Sequence, residues 1–153
     1  MTSASVLAQE QQFGFETFTN FDAWEISRHL LDLIKENGYD PIRIRITYKG
    51  ELIFHYLMDK KPDSLWPIRK EKTVMASGHS SLYTFLEMEQ QEVYKAWAND
   101  ESYAVCGGGF PIIEQSEVKG AICVSGLEHT LDHQIIIDAL QRHFEHKKSA
   151  DGQ

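Results

Sequence analysis

The chain has 153 residues, 42% of them hydrophobic and 25% charged, which is the make-up of one globular domain rather than of a disordered, collagenous or coiled-coil protein. A chain of this length buries ~68–70% of its unfolded surface, enough for a core without disulfide or metal staples. The formal net charge of −8 speaks against a general binder of nucleic acid or anionic membranes. The first dozen residues are polar and without a recognisable cap, and predict a flexible arm over 1–14, either loose or a short frayed helix. Thr19-Asn-Phe-Asp22 reads as a helix start, with a hydroxyl or amide cap and an acid in the first turn. Phe21, Trp24, Leu30, Leu31 and Ile34 then recur at helical spacing until Gly38. Ile42, Ile44, Ile46 and Tyr48 alternate with Arg43, Arg45 and Thr47, as in a strand with one buried face, and Lys49-Gly50 turns the chain into a returning strand over 51–57.

A loop around Pro62 leads into a helix from about Leu65 that ends at Gly78. Ser80 or Ser81 can cap the next helix, which continues or restarts through Val93, Tyr94 and Trp97. Tyr103–Cys106 reads as a strand, Gly107–Gly109 as a bend, Phe110–Ile113 as a resumed strand and Gly120–Ser125 as the last strand. An amphipathic helix follows from Glu128 to about His146, and 147–153 read as a polar tail. Hairpin-length turns and intervening helices predict a mostly antiparallel sheet covered by helices. No apolar run approaches the roughly 20 residues of a membrane span. The start lacks a basic region, and Cys106 and Cys123 make no disulfide framework, so a cytoplasmic protein with reduced thiols is expected.

Charge is unevenly spread. Residues 1–40 carry seven acids and two bases, and 76–146 carry eleven acids and three bases, whereas 41–75 carry eight bases against four acids. That zone could hold a carboxylate or phosphate, or be a solvated face pairing with a neighbouring subunit. Gly107–Gly109 fits neither a dinucleotide nor a P-loop pattern, leaving a bulge or a close approach of backbone to a ligand or second chain. Val124-Ser-Gly126 is no nucleophile elbow, because Cys123 stands where that motif needs glycine. His129 and His133 share a helical side but lack further ligands, so no metal is expected there. Ser77-Gly-His-Ser-Ser81 places an imidazole and hydroxyls at a helix N-terminus, where free N–H groups attract anions; an ordinary serine cap beside a packed histidine is the alternative.

Four segments together carry a resemblance. They are Phe18-Thr-Asn20 with Asp22-Ala-Trp24, Arg69-Lys70 through Gly78-His-Ser-Ser81, Gly107-Gly-Gly-Phe-Pro111, and Val124-Ser-Gly-Leu127 with Asp132-His133. In order and spacing they resemble a small-protein branch of the HbpS-like superfamily, which includes the GlcG proteins and the C-terminal domain of PduO and is often labelled haem-degrading. The resemblance spans residues 15–146 as one domain. It implies an α/β (α+β) fold, a three-layer α/β/α sandwich around a mainly antiparallel five-stranded, profilin-like sheet, assembled into dimers and higher rings. Relatives in the superfamily bind haem or corrinoid tetrapyrroles. Val74-Met-Ala-Ser-Gly78 departs from the arginine-and-aromatic run usual before His-Ser-Ser.

Two functions follow as expectations. One is binding of haem or a related anionic planar cofactor, with His79 as axial ligand, Arg69, Lys70 and Lys72 near its carboxylates, and Ser80, Ser81, Gly108 and Gly109 completing the site. The other is an oligomeric adaptor or scaffold, chaperone-associated or for targeting, whose partners are a second copy and other proteins rather than nucleic acid or membrane. No base, nucleophile and orienting group assemble into an enzyme from sequence.

Overall fold

The structure, a computed structural model, describes residues 1–151. Its elements are α1 (Ser3–Gln12), α2 (Asn20–Asn37), β1 (Arg43–Tyr48), β2 (Glu51–Leu57), α3 (Trp66–Ser77), α4 (Ser81–Leu86), α5 (Glu92–Ala98), β3 (Gly109–Glu114), β4 (Glu117–Ser125) and α6 (His129–Asp151). Strand alternation sets the layers. Ile44 stands opposite Val124, and Ile46 and Phe110 stand opposite Ile122. This apolar face packs on Ile26, Leu30 and Ile34 of α2 and Ile135, Ile136 and Leu140 of α6 in one buried cluster. The opposite face carries smaller groups, Ala121, Cys123 and Gly109, and receives α3 through Val74. The result is the expected α/β/α arrangement around an antiparallel sheet.

Among the described residues that sheet has four strands, in the order β2-β1-β4-β3, rather than five. Tyr103–Cys106 is not a strand, because side chains take the backbone bonds that a sheet neighbour would. Arg69 Nε donates to the Tyr103 carbonyl (2.9 Å), the Ala104 N–H donates to Thr73 Oγ1 (2.9 Å) and the Gly107 N–H donates to His129 Nδ1 (2.9 Å). Beyond β3, Phe15 forms an isolated parallel bridge with Glu114, its N–H donating to the Ile113 carbonyl at 2.7 Å.

Three further expectations change. Of the two readings of the arm the helix holds, but α1 is not uncapped: a capping box closes it, in which the Thr2 hydroxyl accepts from the Ser5 N–H and the Ser5 hydroxyl accepts from the Thr2 N–H. Val6 is fully buried, but the helix is otherwise anchored by polar side chains, which is why hydrophobic patterning did not show it. On α2 the caps fall where expected, at Thr19 and at left-handed Gly38, yet the stripe is rotated: Ala23, Ile26, Leu30, Leu33 and Ile34 face inward. Phe21 and Trp24 are exposed and stack on each other (centroids 5.6 Å), with the Arg28 guanidinium 5.2 Å from the Trp24 ring. The expected tail is helical through Asp151, and the Lys147 ammonium donates to Asp22 Oδ1 at 2.9 Å; positions 152 and 153 lie outside the described residues.

Gly108 has φ +120°, and a Cβ placed there would lie 2.5 Å from both Lys70 Nζ and the Val124 carbonyl oxygen. Backbone strain and a clash with two buried polar groups would add together in an alanine variant. Gly108→Ala should lower unfolding stability by about 2 kcal/mol or more in urea melts. A loss below about 0.5 kcal/mol, the level of a surface substitution, would contradict this packing.

Candidate functional site

The basic segment of α3 does not converge on one ligand. Successive helical residues are turned by about 100°, so positions 69, 70 and 72 project in three directions. Arg69 turns to the Tyr103 carbonyl, and its guanidinium lies 4.1 Å from the Trp66 ring centroid. Lys72 is exposed, donates to Ser102 Oγ (2.9 Å) and lies 4.6 Å from the Tyr103 ring centroid. Lys70, expected among surface cations, is only 3% exposed; its ammonium donates to the Val124 carbonyl (2.8 Å) and to Asp132 Oδ2 (3.1 Å). Asp132 Oδ1 also accepts the Leu127 N–H at 3.0 Å. Burial pushes the Asp132 carboxyl up to about 6 against the pull of Lys70.

Ser81, Gly108 and Gly109 join Lys70 in a packed junction. The Gly109 N–H donates to the buried Ser81 Oγ (2.9 Å), and a Cβ on Gly109 would lie 2.9 Å from Val74 Cγ2 and 3.1 Å from the Lys70 carbonyl oxygen. These glycines bring backbone against the protein's own helix.

His79 and Ser80 belong to a different place. The Ser80 hydroxyl caps α4 by accepting the Tyr83 N–H (3.2 Å), and the Ser80 N–H donates to Glu10 Oε2 (3.0 Å). His79 Nδ1 lies 2.9 Å from Glu10 Oε1, and its ring is 4.4 Å from that of Tyr83. Glu10 is only 5% exposed, whereas the His79 side chain is 36% exposed. With Nδ1 on the carboxylate, Nε2 has no partner among the described residues. Both residues line a cavity of about 610 Å³, together with Leu7, Phe15, Ile113 and Gln115. This is within the range of small-molecule sites. Sequence reading missed Glu10, because nothing in a polar N-terminal segment announces a partner 69 positions away.

The two histidines of α6 are engaged separately. His133 is fully buried, and its Nε2 lies 2.7 Å from Gln9 Oε1, an acceptor, so Nε2 carries the proton. His129 Nδ1 accepts the Gly107 N–H, which places its proton on Nε2 as well. Burial raises the pKa of both free thiols, which favours their protonated form; Cys123 is buried and Cys106 half-buried.

Residues 18–141 match the family model described as haem degrading protein HbpS-like, so the chain belongs to the HbpS-like family, as its motifs suggested. A UPF0303 protein of Psychromonas ingrahamii is 33% identical over 145 residues, 88% of each chain. Among solved structures, the Ybr137w protein superposes with a TM-score of 0.80 at 24% identity, over 92% of this chain and 86% of that one. A structure described as a PduOC:heme complex superposes with a TM-score of 0.68 at 15% identity, over 82% of this chain and 94% of that one. These likenesses establish the shared fold.

Burial lowers the His133 pKa to about 4, from 6.5 in an unfolded chain. Between those values the unfolded chain binds a proton that the folded one refuses, so this group's contribution to stability falls as pH drops from about 6.5 to 4. Asp132 acts oppositely, since its raised value favours the folded state as pH falls through about 6 toward 4. A comparison with His133→Gln isolates the histidine. From pH 7 to pH 4 the wild type should lose about 3 kcal/mol relative to that variant in urea melts. Parallel pH profiles would show that His133 titrates normally.

Proposed function

We propose that this protein binds haem, or a related anionic planar tetrapyrrole, in the cavity lined by His79, with Nε2 of that ring as the axial ligand. The observation that carries the reading is the Glu10–His79 pair. A metal-ligating histidine characteristically hydrogen-bonds its second ring nitrogen to a carboxylate or carbonyl, which fixes the ring and raises its basicity. Here Nδ1 is engaged by a buried carboxylate, and the ring borders a cavity of about 610 Å³. The family's description as haem degrading and the relative solved with haem support the choice of ligand. Of the cations first considered for the carboxylates, Lys70 is committed to Asp132. The alternative is Lys49, which lines an adjoining cavity of about 460 Å³ sharing Glu16 and Gln115 with the first; Lys119 in the same wall is paired with Glu117 at 3.1 Å. Two free thiols and no disulfide suit the reducing cytoplasm.

A haemin titration tests the site. Wild type and Lys72→Ala should show the same Soret shift, since an exposed cation contributes only ~0–1 kcal/mol. His79→Ala should bind at least tenfold more weakly, with an altered spectrum. Unchanged binding by His79→Ala would remove that residue from the site, and no Soret shift in any variant would reject haem.

A second reading, self-association with or without protein partners, draws on the outer side of α3 and the residue that caps it. Leu65, Ile68 and Met75 are exposed at helical spacing, at 70%, 46% and 45%. Exposed apolar groups at this density mark interaction surfaces, and closed symmetric assemblies are the common outcome. Light scattering at micromolar protein should give a multiple of 17.6 kDa; the monomer mass would contradict the reading.

A further inference from the structure

We propose that a second cavity, between the ends of β1 and β4 and the start of α6, binds a small organic monocarboxylate, with Arg43 receiving the anion and Trp66 supporting its apolar body. The cavity holds about 290 Å³, roughly the volume of ten water molecules, and shares no lining residue with the His79 cavity. Arg43, Trp66, Lys70, Ser125, His129 and Asp132 line it.

The argument rests on where charge is left over. Arg43 is half-buried, and its hydrogen bonds go to neutral oxygens, from Nε to the Pro62 carbonyl (2.6 Å) and from Nη1 to Ser125 Oγ (3.2 Å). No carboxylate pairs with it among the described residues. Arg45, two positions on, is by contrast paired with Glu71 at 2.8 Å. Around the cavity Lys70 is paired with Asp132, His129 accepts the Gly107 N–H at Nδ1 with Nε2 3.4 Å from Glu128 Oε1, and Lys61 reaches the Gly126 carbonyl (3.4 Å). Of the cations lining the cavity, Arg43 is the one left without a carboxylate among the described residues. Lys70 also has a third N–H beyond the two donated to Val124 and Asp132, and Arg43 keeps its Nη2 donors.

The lining also says which anion. A single surplus charge beside the Asp132 carboxylate favours a monoanion over a dianionic phosphate. Trp66 lines the cavity and is already paired with the Arg69 guanidinium, itself without a carboxylate partner among the described residues. An indole wall selects a carboxylate with a flat apolar body.

Benzoate is the probe, titrated into the full-length protein by calorimetry and by tryptophan fluorescence, with inorganic phosphate at matched ionic strength as the second arm. Saturable binding of benzoate and none of phosphate is expected. Arg43→Gln should weaken benzoate at least tenfold, whereas Arg28→Gln, beside the distant Trp24, should leave it unchanged. Trp66→Phe should abolish the fluorescence change and Trp66→Ala should weaken binding in the calorimeter. Absence of saturation, tighter binding of phosphate, or unchanged affinity in Arg43→Gln would overturn the proposal. If Arg43→Gln fails to fold, unchanged affinity in Trp66→Ala overturns it equally.

Discussion

A single buried ammonium holds the layers in register. Lys70 reaches from α3 to the Val124 carbonyl near the end of β4 and to Asp132 in the first turn of α6, and the same carboxylate ties down Leu127 in the preceding loop. Burying such a pair brings little net stability, because desolvation offsets most of the attraction, but an unpaired member is costly. The pair therefore acts as a constraint on geometry. It demands a bare backbone at Gly108, fixes how closely α3 approaches β3, and leaves 103–108 to be tied down by side chains instead of by a strand.

Helix α1 completes the arrangement from the other side. Its consecutive residues Gln9 and Glu10 hold His133 and His79, histidines from α6 and from the turn before α4. One is sealed and kept neutral, with no route to a ligand. The other is gripped at a single nitrogen and left at a cavity wall. The chemical difference between these two imidazoles comes from their environments, not from their local sequence.

Local rules made much of the fold legible. Thr19 and Gly38 bounded α2, Lys49-Gly50 with positive φ at both residues turned the first hairpin, and alternation over 42–48 gave the buried face. What escaped was set by distant partners. Tyr103–Cys106 is apolar enough to read as a strand, yet its backbone answers to Arg69, Thr73 and His129. Phe21 and Trp24 fit a helical stripe, but the inward face is one step round the helix. At the candidate site His79 was legible from its setting at a helix start. Glu10 was not, and the basic run around Lys70 suggested a shared patch that helical geometry disperses.

The central claim is that Lys70 is a structural cation pinning α3 to α6. A double-mutant cycle in urea, with Lys70→Met, Asp132→Leu and the pair, measures it most directly. The account predicts that Lys70→Met alone costs about 3–5 kcal/mol and that the double variant loses far less than the sum of the singles. A loss below about 1 kcal/mol for Lys70→Met with additive singles, as for an exposed cation, would contradict it.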